Sequence, residues 1–485
     1  MNSYKKSILG GVFWTTLEAV INRGFSFIIQ LILARILFPE DYGLVGMAVV
    51  FISFLEVFND LGMSAALIQR KEDKLTPEHF DTAFWTGIGW GGVLYLLMGV
   101  IGAPLVASFY EESQLKAIIP VMSLSLLLNP INLVHQAQLT RAMDFKKLAF
   151  VNNGGNITAG IIALLFAFLG FGVWTLVFYS VARAVITLPL YFRATRWFPS
   201  LVWKKDIFKD IFGFGAFTTG TAFFNKLTGS IDFLLVGKLV GATALGYYTF
   251  AFTITNLVRD QLVNIVNKVL YPVYAKMQDR KDQMLNLFFK IVSINNFIVY
   301  PIIVGIFLFA EFLVPIFFGS KWDNSIPIAR VLCIAVLLQM MNNSHTRLFR
   351  AAGEVRLEMM LQIIKSVVFF VPLISLGVYL HGLMGAAYGF TLATFLAVST
   401  SFYFMGRIFG MRLKQLFIAI KASFVMAVFC MITTEVLKMY LDWRVCLAYY
   451  LITLVAIYWL LGKDQLLMMW NIVKNPKAAL NGKAK

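Results

Sequence analysis

The feature that most constrains this chain is a long apolar segment, residues 8–37, that occurs a second time 203 positions later. At about 1.5 Å per helical residue, this segment reaches roughly 45 Å, which exceeds the hydrocarbon core of a bilayer. The copies align without a gap, and the matched pairs are Gly10 with Gly213, Thr15 with Thr218, Thr16 with Thr219, Asn22 with Asn225, Arg23 with Lys226, Arg35 with Lys238, Gly43 with Gly246 and Ala48 with Ala251. The duplication predicts a membrane bundle with two related halves.

Composition extends the membrane assignment to the whole chain. Of 485 residues, 59% are hydrophobic and 14% are charged, which leaves too little polar surface to cover a soluble globule. The first helix has no small-residue cleavage site after a short apolar region, so we expect it to be retained. Cys333, Cys430 and Cys446 lie in apolar stretches with a spacing that fits neither a metal site nor a disulfide framework. We expect them to pack as small core hydrophobes.

Apolar runs separated by polar breaks predict an all-α polytopic membrane protein with about 14 transmembrane helices. The predicted spans are 8–37, 42–69, 82–108, 115–140, 147–170, 172–192, 208–236, 244–272, 285–312, 325–348, 357–380, 382–406, 415–440 and 444–462. The last two have no counterpart in the repeat, so the pattern indicates two six-helix halves followed by an extra pair.

Lysine and arginine collect in every second loop. One set of loops, with the two tails, holds 27 of these cations, and the alternate loops hold 6. Because cytoplasmic loops of membrane proteins carry the excess of positive charge, we predict that both termini and the loop 193–209 are cytoplasmic. The same distribution accounts for the formal charge of +17 without a nucleic-acid partner.

A second internal match, at an offset of 210, supports the duplication. It aligns His135 with His345, Asp144 with Glu354, Lys146 with Arg356 and Gly172 with Gly382. Because six helices separate the copies, the halves should have the same orientation and be related by a pseudo-two-fold axis along the membrane normal. We therefore divide the chain into an N-lobe (1–192), a cytoplasmic linker (193–209), a C-lobe (210–407) and a segment with the extra helices and a basic cytoplasmic tail (408–485).

Charged residues inside the predicted helices are the candidate site. Arg23 lies near mid-membrane, where a lone charge costs at least about 2.5–3.5 kcal/mol. It stands beside a polar stripe of Thr15, Glu18 and Asn22, whose copy includes Thr218 and Asn225. The stripe fits either a polar cavity or hydrogen bonds between helices, and the two interpretations have similar weight. The residues predicted to bind substrate through a cationic cavity are Arg23, Lys226, Arg183, Arg259 and Lys290.

Two of these cations have a second interpretation. Arg259 and Lys290 lie close enough to helix ends to extend to the membrane interface instead. Three carboxylates, Glu18, Asp60 and Asp232, are candidates to bind a coupling H⁺ or Na⁺, and each could equally form a structural ion pair with an inner cation. The sequence contains no P-loop, H-E-x-x-H, C-x-x-C or G-x-S-x-G motif. We therefore expect a protein that is not an enzyme and that needs neither a cofactor nor a metal.

Five stretches of the sequence are distinctive in combination: the opening "FWTTLEAVINRGFSFIIQ", then "ARILFPEDYG", "DLGMSAALIQRKE", "QAQLTRAMDFKKLA" and "TRLFRAAGEVRLEMML". Together they resemble bacterial polysaccharide exporters of the Wzx type, and the opening is similar to the start of the colanic-acid-like branch. The resemblance covers nearly the whole chain. It places the chain in the multidrug/oligosaccharidyl-lipid/polysaccharide flippase superfamily.

The resemblance implies two six-helix lobes around a central cavity. It also implies flipping of undecaprenyl-diphosphate-linked oligosaccharide across the bacterial inner membrane by alternating access, for exopolysaccharide, O-antigen or capsule. A polysaccharide polymerase and a chain-length regulator are then expected partners beside the membrane lipids. One alternative is a multidrug or metabolite cation antiporter of the same superfamily, which the intramembrane Arg and Lys residues disfavour. The other is a membrane polymerase or ligase, which would need a large outer loop.

Overall fold

The computed structural model describes residues 2–70, 74–275 and 280–461, and every regular element in those ranges is helical. This confirms the predicted all-α membrane fold. Nine helical stretches in the described ranges are long and apolar enough to cross a membrane, and one of them, 356–409, contains two of the predicted spans. The count of 14 crossings therefore stays a prediction. The predicted basic tail lies outside the described residues.

The chain forms two compact units, Met1–Gly246 and Tyr247–Lys485. The helices that begin in the first unit are α1 (Asn2–Ile36), α2 (Pro39–Glu56), α3 (Met63–Gln69), α4 (Pro77–Tyr95), α5 (Ala103–Tyr110), α6 (Leu115–Arg141), α7 (Phe145–Phe168), α8 (Val173–Thr195), α9 (Lys205–Val240) and α10 (Ala242–Ala275). The first unit thus includes α9, which the sequence assigned to the C-lobe. The lobe boundary at 193–209 stays a prediction.

The helices of the second unit follow the same plan with more interruptions. They are α11 (Lys281–Phe318), α12 (Ile326–Met340), α13 (His345–Ala351), α14 (Val355–Ile363), α15 (Val371–Phe409), α16 (Leu413–Lys438) and α17 (Trp443–Leu461). Helix α15 is broken at His381 and Gly382, where the backbone leaves the helical region. The extra helices α16 and α17 pack against α11, and Tyr458 donates a hydrogen bond of 2.9 Å to the carbonyl of Phe297.

Each predicted span lies on helix, but several spans are divided. The span 42–69 becomes α2 and α3, because Leu61 and Gly62 adopt positive φ between them. The span 82–108 continues through a π-helical stretch, Leu96–Gly102, into α5. A second π-helical stretch, Ile364–Phe370, joins α14 to α15. Such changes of backbone geometry are invisible to apolar periodicity, which reports only which residues are buried.

The backbone carries the repeat that the sequence predicts. Gly172 and Gly382, matched at the offset of 210, have φ/ψ of 52°/−129° and 55°/−135°. Only glycine adopts this region readily, because a Cβ would clash. Met143 and Gly353 are also 210 positions apart, and both have positive φ just before α7 and α14. The two halves therefore share turns with positive φ as well as side chains.

The offset of 203 reappears as a reciprocal close contact within the first unit. A Cβ on Gly43 of α2 would overlap the carbonyl oxygen of Ala242, and one on Gly246 would overlap that of Pro39. Pro39 begins α2 and Ala242 begins α10, 203 positions apart. Each glycine thus lets the other helix's first backbone carbonyl approach. The first turns of the duplicated helices cross backbone to backbone.

The segment after α8 is held along α4. The backbone N–H of Ser200 donates to Asp81 Oδ1 at 2.9 Å, and Trp85 Nε1 donates to the carbonyl of Ser200 at 2.7 Å. Trp203 Nε1 donates to Thr86 Oγ1 at 3.0 Å. Asp81 is buried. The predicted linker is therefore fixed to the first unit rather than trailing from it.

Candidate ligand cavity in the first unit

A polar cavity of about 570 Å³ lies inside the first unit, among α2, α6, α7 and α8. We call it the first-unit cavity. Helices α2, α6 and α8 each contribute residues three or four positions apart, which places them on a single face of the helix, and α7 contributes Asn152. The polar lining residues are Ser53, Glu56, Asn59 and Asp60 on α2 and the turn after it, Ser125, Asn129, Asn132 and Gln136 on α6, Asn152 on α7, and Ser180, Arg183, Thr187 and Tyr191 on α8.

Three charged residues line the cavity, two carboxylates and one guanidinium. Asp60 Oδ1 accepts a hydrogen bond from the backbone N–H of Ser64 at 2.8 Å, which fixes the carboxylate at the start of α3. Glu56 interacts electrostatically with Lys226 of α9. Arg183 projects from the middle of α8 with an exposed side chain. The lining alone is therefore more negative than positive.

Asn132 is buried in the cavity wall with its amide oriented by α8. Its Nδ2 donates to the carbonyl of Ala184 at 3.2 Å and to Thr187 Oγ1 at 3.1 Å. Its Oδ1 has no hydrogen-bond partner among the described residues, and neither does Oδ1 of buried Asn59. A buried carbonyl without a partner costs about 1–3 kcal/mol. Both oxygens therefore favour a hydrogen-bond donor from a ligand or from water.

The polar stripe of α1 supports this wall from behind. Asn152 Nδ2 donates to Glu18 Oε1 at 2.7 Å, and Asn152 Oδ1 accepts from the hydroxyl of Tyr191 at 2.9 Å. One turn further, Asn156 Nδ2 donates to Ser26 Oγ at 3.0 Å. Of the two interpretations of the stripe, hydrogen bonding between helices is therefore realised at Glu18, between α1 and α7, and Ser26, four residues beyond Asn22, adds a second such contact.

The predicted cations occupy different surroundings. Arg183 lines the first-unit cavity, whereas Arg23 is exposed on α1 and is not among the lining residues. Lys226 is half-buried. In the second unit, Arg259 Nη2 lies 2.8 Å from Asp260 Oδ1, and its Nη1 donates to Gln339. Lys290 is half-buried on α11, near the start of that helix.

The remaining predicted residues are placed as follows. Thr15 and Asn22 are half-buried on α1, and Asn22 Oδ1 has no partner among the described residues. Asp232 is buried on α9 and interacts with neighbouring groups. Thr218 and Asn225 belong to α9, but their side chains are outside the described part of the structure. The assignment of all these residues to substrate or ion binding stays a prediction.

Sequence reasoning missed most of the polar wall. Asn129, Asn132 and Gln136 are uncharged, and a search for intramembrane charge passes over them. A signal was present, because these residues follow Ser125 at steps of three and four along an otherwise apolar helix. Across the described residues, no group of three or more His, Cys, Asp or Glu side chains could hold a metal ion.

The chain resembles known membrane proteins in sequence and in fold. It is 25% identical over 405 residues to the lipopolysaccharide biosynthesis protein WzxC of Escherichia coli (strain K12), covering 83% of this chain and 82% of that one. It is also 25% identical over 362 residues to the teichuronic acid biosynthesis protein TuaB of Bacillus subtilis (strain 168), covering 73% of each.

Among the solved structures that share its fold are a flippase and a multidrug resistance transporter. The lipid II flippase MurJ in an inward closed conformation gives a TM-score of 0.72 at 13% identity, covering 94% of this chain and 100% of that one. An inward-facing multidrug resistance transporter of the MATE family gives 0.64 at 18% identity, covering 80% and 94%. At the level of sequence, the polysaccharide biosynthesis protein family matches residues 32–327. The chain belongs to that family.

Proposed function

We propose that this protein flips an undecaprenyl-diphosphate-linked oligosaccharide from the inner to the outer leaflet of the bacterial cytoplasmic membrane by alternating access. The observation that carries the proposal is the first-unit cavity, a polar chamber within an apolar bundle that holds a guanidinium. Polar and ionisable groups at membrane depth mark the path of a substrate. The family, and the biosynthetic pathways named for its relatives, supply the substrate class.

The intramembrane cations would bind the lipid diphosphate. A diphosphate brings about two negative charges into a low-dielectric interior, where oppositely charged partners matter most. Arg183 offers a planar fork to phosphate oxygens at the cavity, and Lys226 supplies a compact charge. Arg23, exposed on α1, is available to the same headgroup. Arg259 and Lys290, which lie in the second unit, also belong to the cations proposed to bind the diphosphate.

Transport would proceed without ATP, since the sequence has no P-loop. A gradient of H⁺, of Na⁺ or of the substrate itself would drive it, with Glu18, Asp60 and Asp232 as the candidate ion ligands. Both termini and the linker 193–209 would be cytoplasmic, because the cations collect there. A polysaccharide polymerase and a chain-length regulator would take up the flipped product.

One observation favours a second function, the export of organic cations. Glu56 and Asp60 both line the first-unit cavity, and their carboxylates would attract a positively charged molecule. The fold is shared with a multidrug resistance transporter. The two functions separate in proteoliposomes, where the flippase moves the lipid-linked sugar and the antiporter moves a cationic dye.

The test removes the cations one at a time and measures lipid flipping per folded molecule. Arg23→Ala, Arg183→Ala and Lys226→Ala should each lower flipping by about tenfold or more, since each removes charge-assisted contacts to phosphate. Arg23→Lys should retain part of the activity, because the charge survives while the fork is lost. The matched control is Arg193→Ala, which lies at the exposed end of α8. It should flip normally.

Two results would contradict the proposal. If all three alanine variants flip as well as the wild type once the amount of folded protein is equal, the cations do not bind the headgroup. If Arg23→Ala lowers only the amount of folded protein, and a neutral substitution at Glu18 or Asp60 restores it, the cation serves the bundle instead.

A further inference from the structure

We propose that the first-unit cavity is a carbohydrate subsite, which binds an uncharged, hydroxyl-bearing sugar of the lipid-linked substrate through hydrogen-bond acceptors. The proposal rests on the proposed function and assigns a second part of the substrate to this cavity, beside the diphosphate at Arg183. The diphosphate remains with the cations, and the sugar occupies the wall formed by α2 and α6.

Two hydrogen-bond acceptors that lack donors belong to residues of the cavity wall. Oδ1 of Asn59 and Oδ1 of Asn132 are buried without partners among the described residues, although both residues line the cavity. The Glu56 carboxylate adds an acceptor-only group, and that of Asp60 keeps capacity beyond its bond to Ser64. Phosphate oxygens cannot satisfy such a wall, because they are acceptors themselves. Sugar hydroxyls can, because each carries a proton to donate.

The charge of the lining indicates which sugars fit. The lining contains two carboxylates and one guanidinium, and Lys226 acts electrostatically on Glu56 from α9. A neutral sugar meets no opposing charge there. A sugar acid would bring a third carboxylate beside Glu56 and Asp60, and like charges at short range oppose binding in a low dielectric. The subsite should therefore discriminate against uronic acids.

The size of the cavity favours an organic ligand over a bare ion. Its volume of about 570 Å³ falls within the roughly 300–1,000 Å³ of pockets that bind small organic molecules. A monatomic cation or a single water needs about 30 Å³ or less. The wall is also fixed in advance, because Asn132 is held by Thr187, and Tyr191 by Asn152. Side chains ordered before binding lose less entropy when the ligand arrives.

The experiment compares three lipids on the purified full-length protein in nanodiscs. The probes are undecaprenyl diphosphate, the same lipid bearing one glucose, and the same lipid bearing one glucuronic acid. We expect the glucosyl lipid to bind with a Kd about tenfold lower than the bare diphosphate, since it adds hydrogen bonds to charged groups. The glucuronosyl lipid should show no such gain. Free glucose in excess should not displace the glucosyl lipid.

Isosteric variants then locate the preference. Glu56→Gln and Asp60→Asn keep the side-chain shape but remove the charge, so each should reduce the preference for glucose by about fivefold or more and leave binding of the bare diphosphate no weaker. Ser125→Ala removes a neutral lining hydroxyl and serves as an additional variant if a carboxylate variant fails to fold. The matched control is Glu40→Gln, an exposed carboxylate on the first turn of α2, outside the cavity.

The outcomes are separable. Equal binding of the bare and glucosyl lipids to the wild type would overturn the subsite while leaving the flippase intact. Failure of all three lipids to bind would instead count against the proposed function. Variants that lose Na⁺ dependence but keep the glucose preference would show that the carboxylates form a cation site, and displacement by free glucose would show a soluble sugar site. Either result would overturn the proposal.

Discussion

The reciprocal contact of Gly43 and Gly246 gives the sharpest test of the structure. Replacing either glycine with alanine adds one methyl group where the opposite helix begins. On Gly43, the new carbon would stand 2.5 Å from the carbonyl carbon of Ala242, besides overlapping its oxygen, and on Gly246 it would stand 2.5 Å from that of Pro39. Both obstacles are backbone atoms, so no side-chain rotation can relieve the overlap.

The cost follows from two opposing terms. Overpacking a close contact costs typically about 1–3 kcal/mol, and a backbone obstacle places this case near the upper end. Alanine in a helix is favoured over glycine by about 1 kcal/mol, which offsets part of that cost. The net destabilisation is about 2 kcal/mol. For a unit of this size, that corresponds to a fall in Tm of roughly 4–8 °C.

The assay measures the fraction of purified protein that stays monodisperse after heating, read by size-exclusion chromatography. The controls are Gly24→Ala and Gly92→Ala, two helical glycines whose added Cβ would meet nothing within 4 Å. Both control variants should keep the wild-type Tm or raise it, because the only effect of the substitution is the higher helix propensity of alanine. If Gly43→Ala and Gly246→Ala match the controls, the backbone-to-backbone crossing of α2 and α10 is wrong.

Two further predictions concern the loops. Burial, and secondarily the neighbouring carboxylate of Glu40, raise the pKa of Glu112 above its ordinary value of 4.5, so folded-state stability falls as pH rises above that value. Glu112→Gln should therefore raise Tm at about pH 7 and leave it unchanged at about pH 3, and an equal gain at both would refute the linkage. For topology, an impermeant maleimide should label Ser113→Cys but not Ser200→Cys in intact cells, against a low background, because all three native cysteines are buried. The reverse pattern would invert the predicted orientation.

Much of the fold could be predicted because its determinants are local or periodic. Each predicted apolar run lies on helix in the described residues, and the repeat offset of 210 matched Gly172 with Gly382, where the turns coincide. The breaks were harder. Leu61 adopts φ 46° beside Gly62 although leucine disfavours that region, so tertiary packing imposes the turn between α2 and α3. The π-helical stretches likewise leave no compositional trace.

The site could be predicted only in part, because charge was treated as the marker of function. Arg183 lines the first-unit cavity, as a charge flanked by apolar residues suggests. Asn132 also lines the cavity, but an amide in a helix is equally compatible with a packing contact. Only the structure shows that its Nδ2 donates a hydrogen bond to Thr187 while its Oδ1 has no partner among the described residues. Whether such an amide faces a cavity or packs against a neighbour depends on which helices are adjacent. The sequence of a single helix does not contain that information.

The internal repeat indicates how the two halves of the chain have diverged. The offset of 203 puts Arg259 at the position of Glu56, and the offset of 210 puts Gln339 at the position of Asn129. In the first unit, Glu56 and Asn129 both line the cavity, whereas in the second unit Arg259 donates to Gln339 and pairs with Asp260. Both halves thus keep polar residues at these two positions, and the charge at one of them changes from negative in Glu56 to positive in Arg259. Because a guanidinium already held by a carboxylate and an amide has fewer donors left for phosphate, we expect Arg259 to contribute less to diphosphate binding than Arg183 does. Glu56, by contrast, lines the cavity. The uncharged and acidic positions of the first unit, as well as its cations, are therefore the ones to test for sugar selectivity.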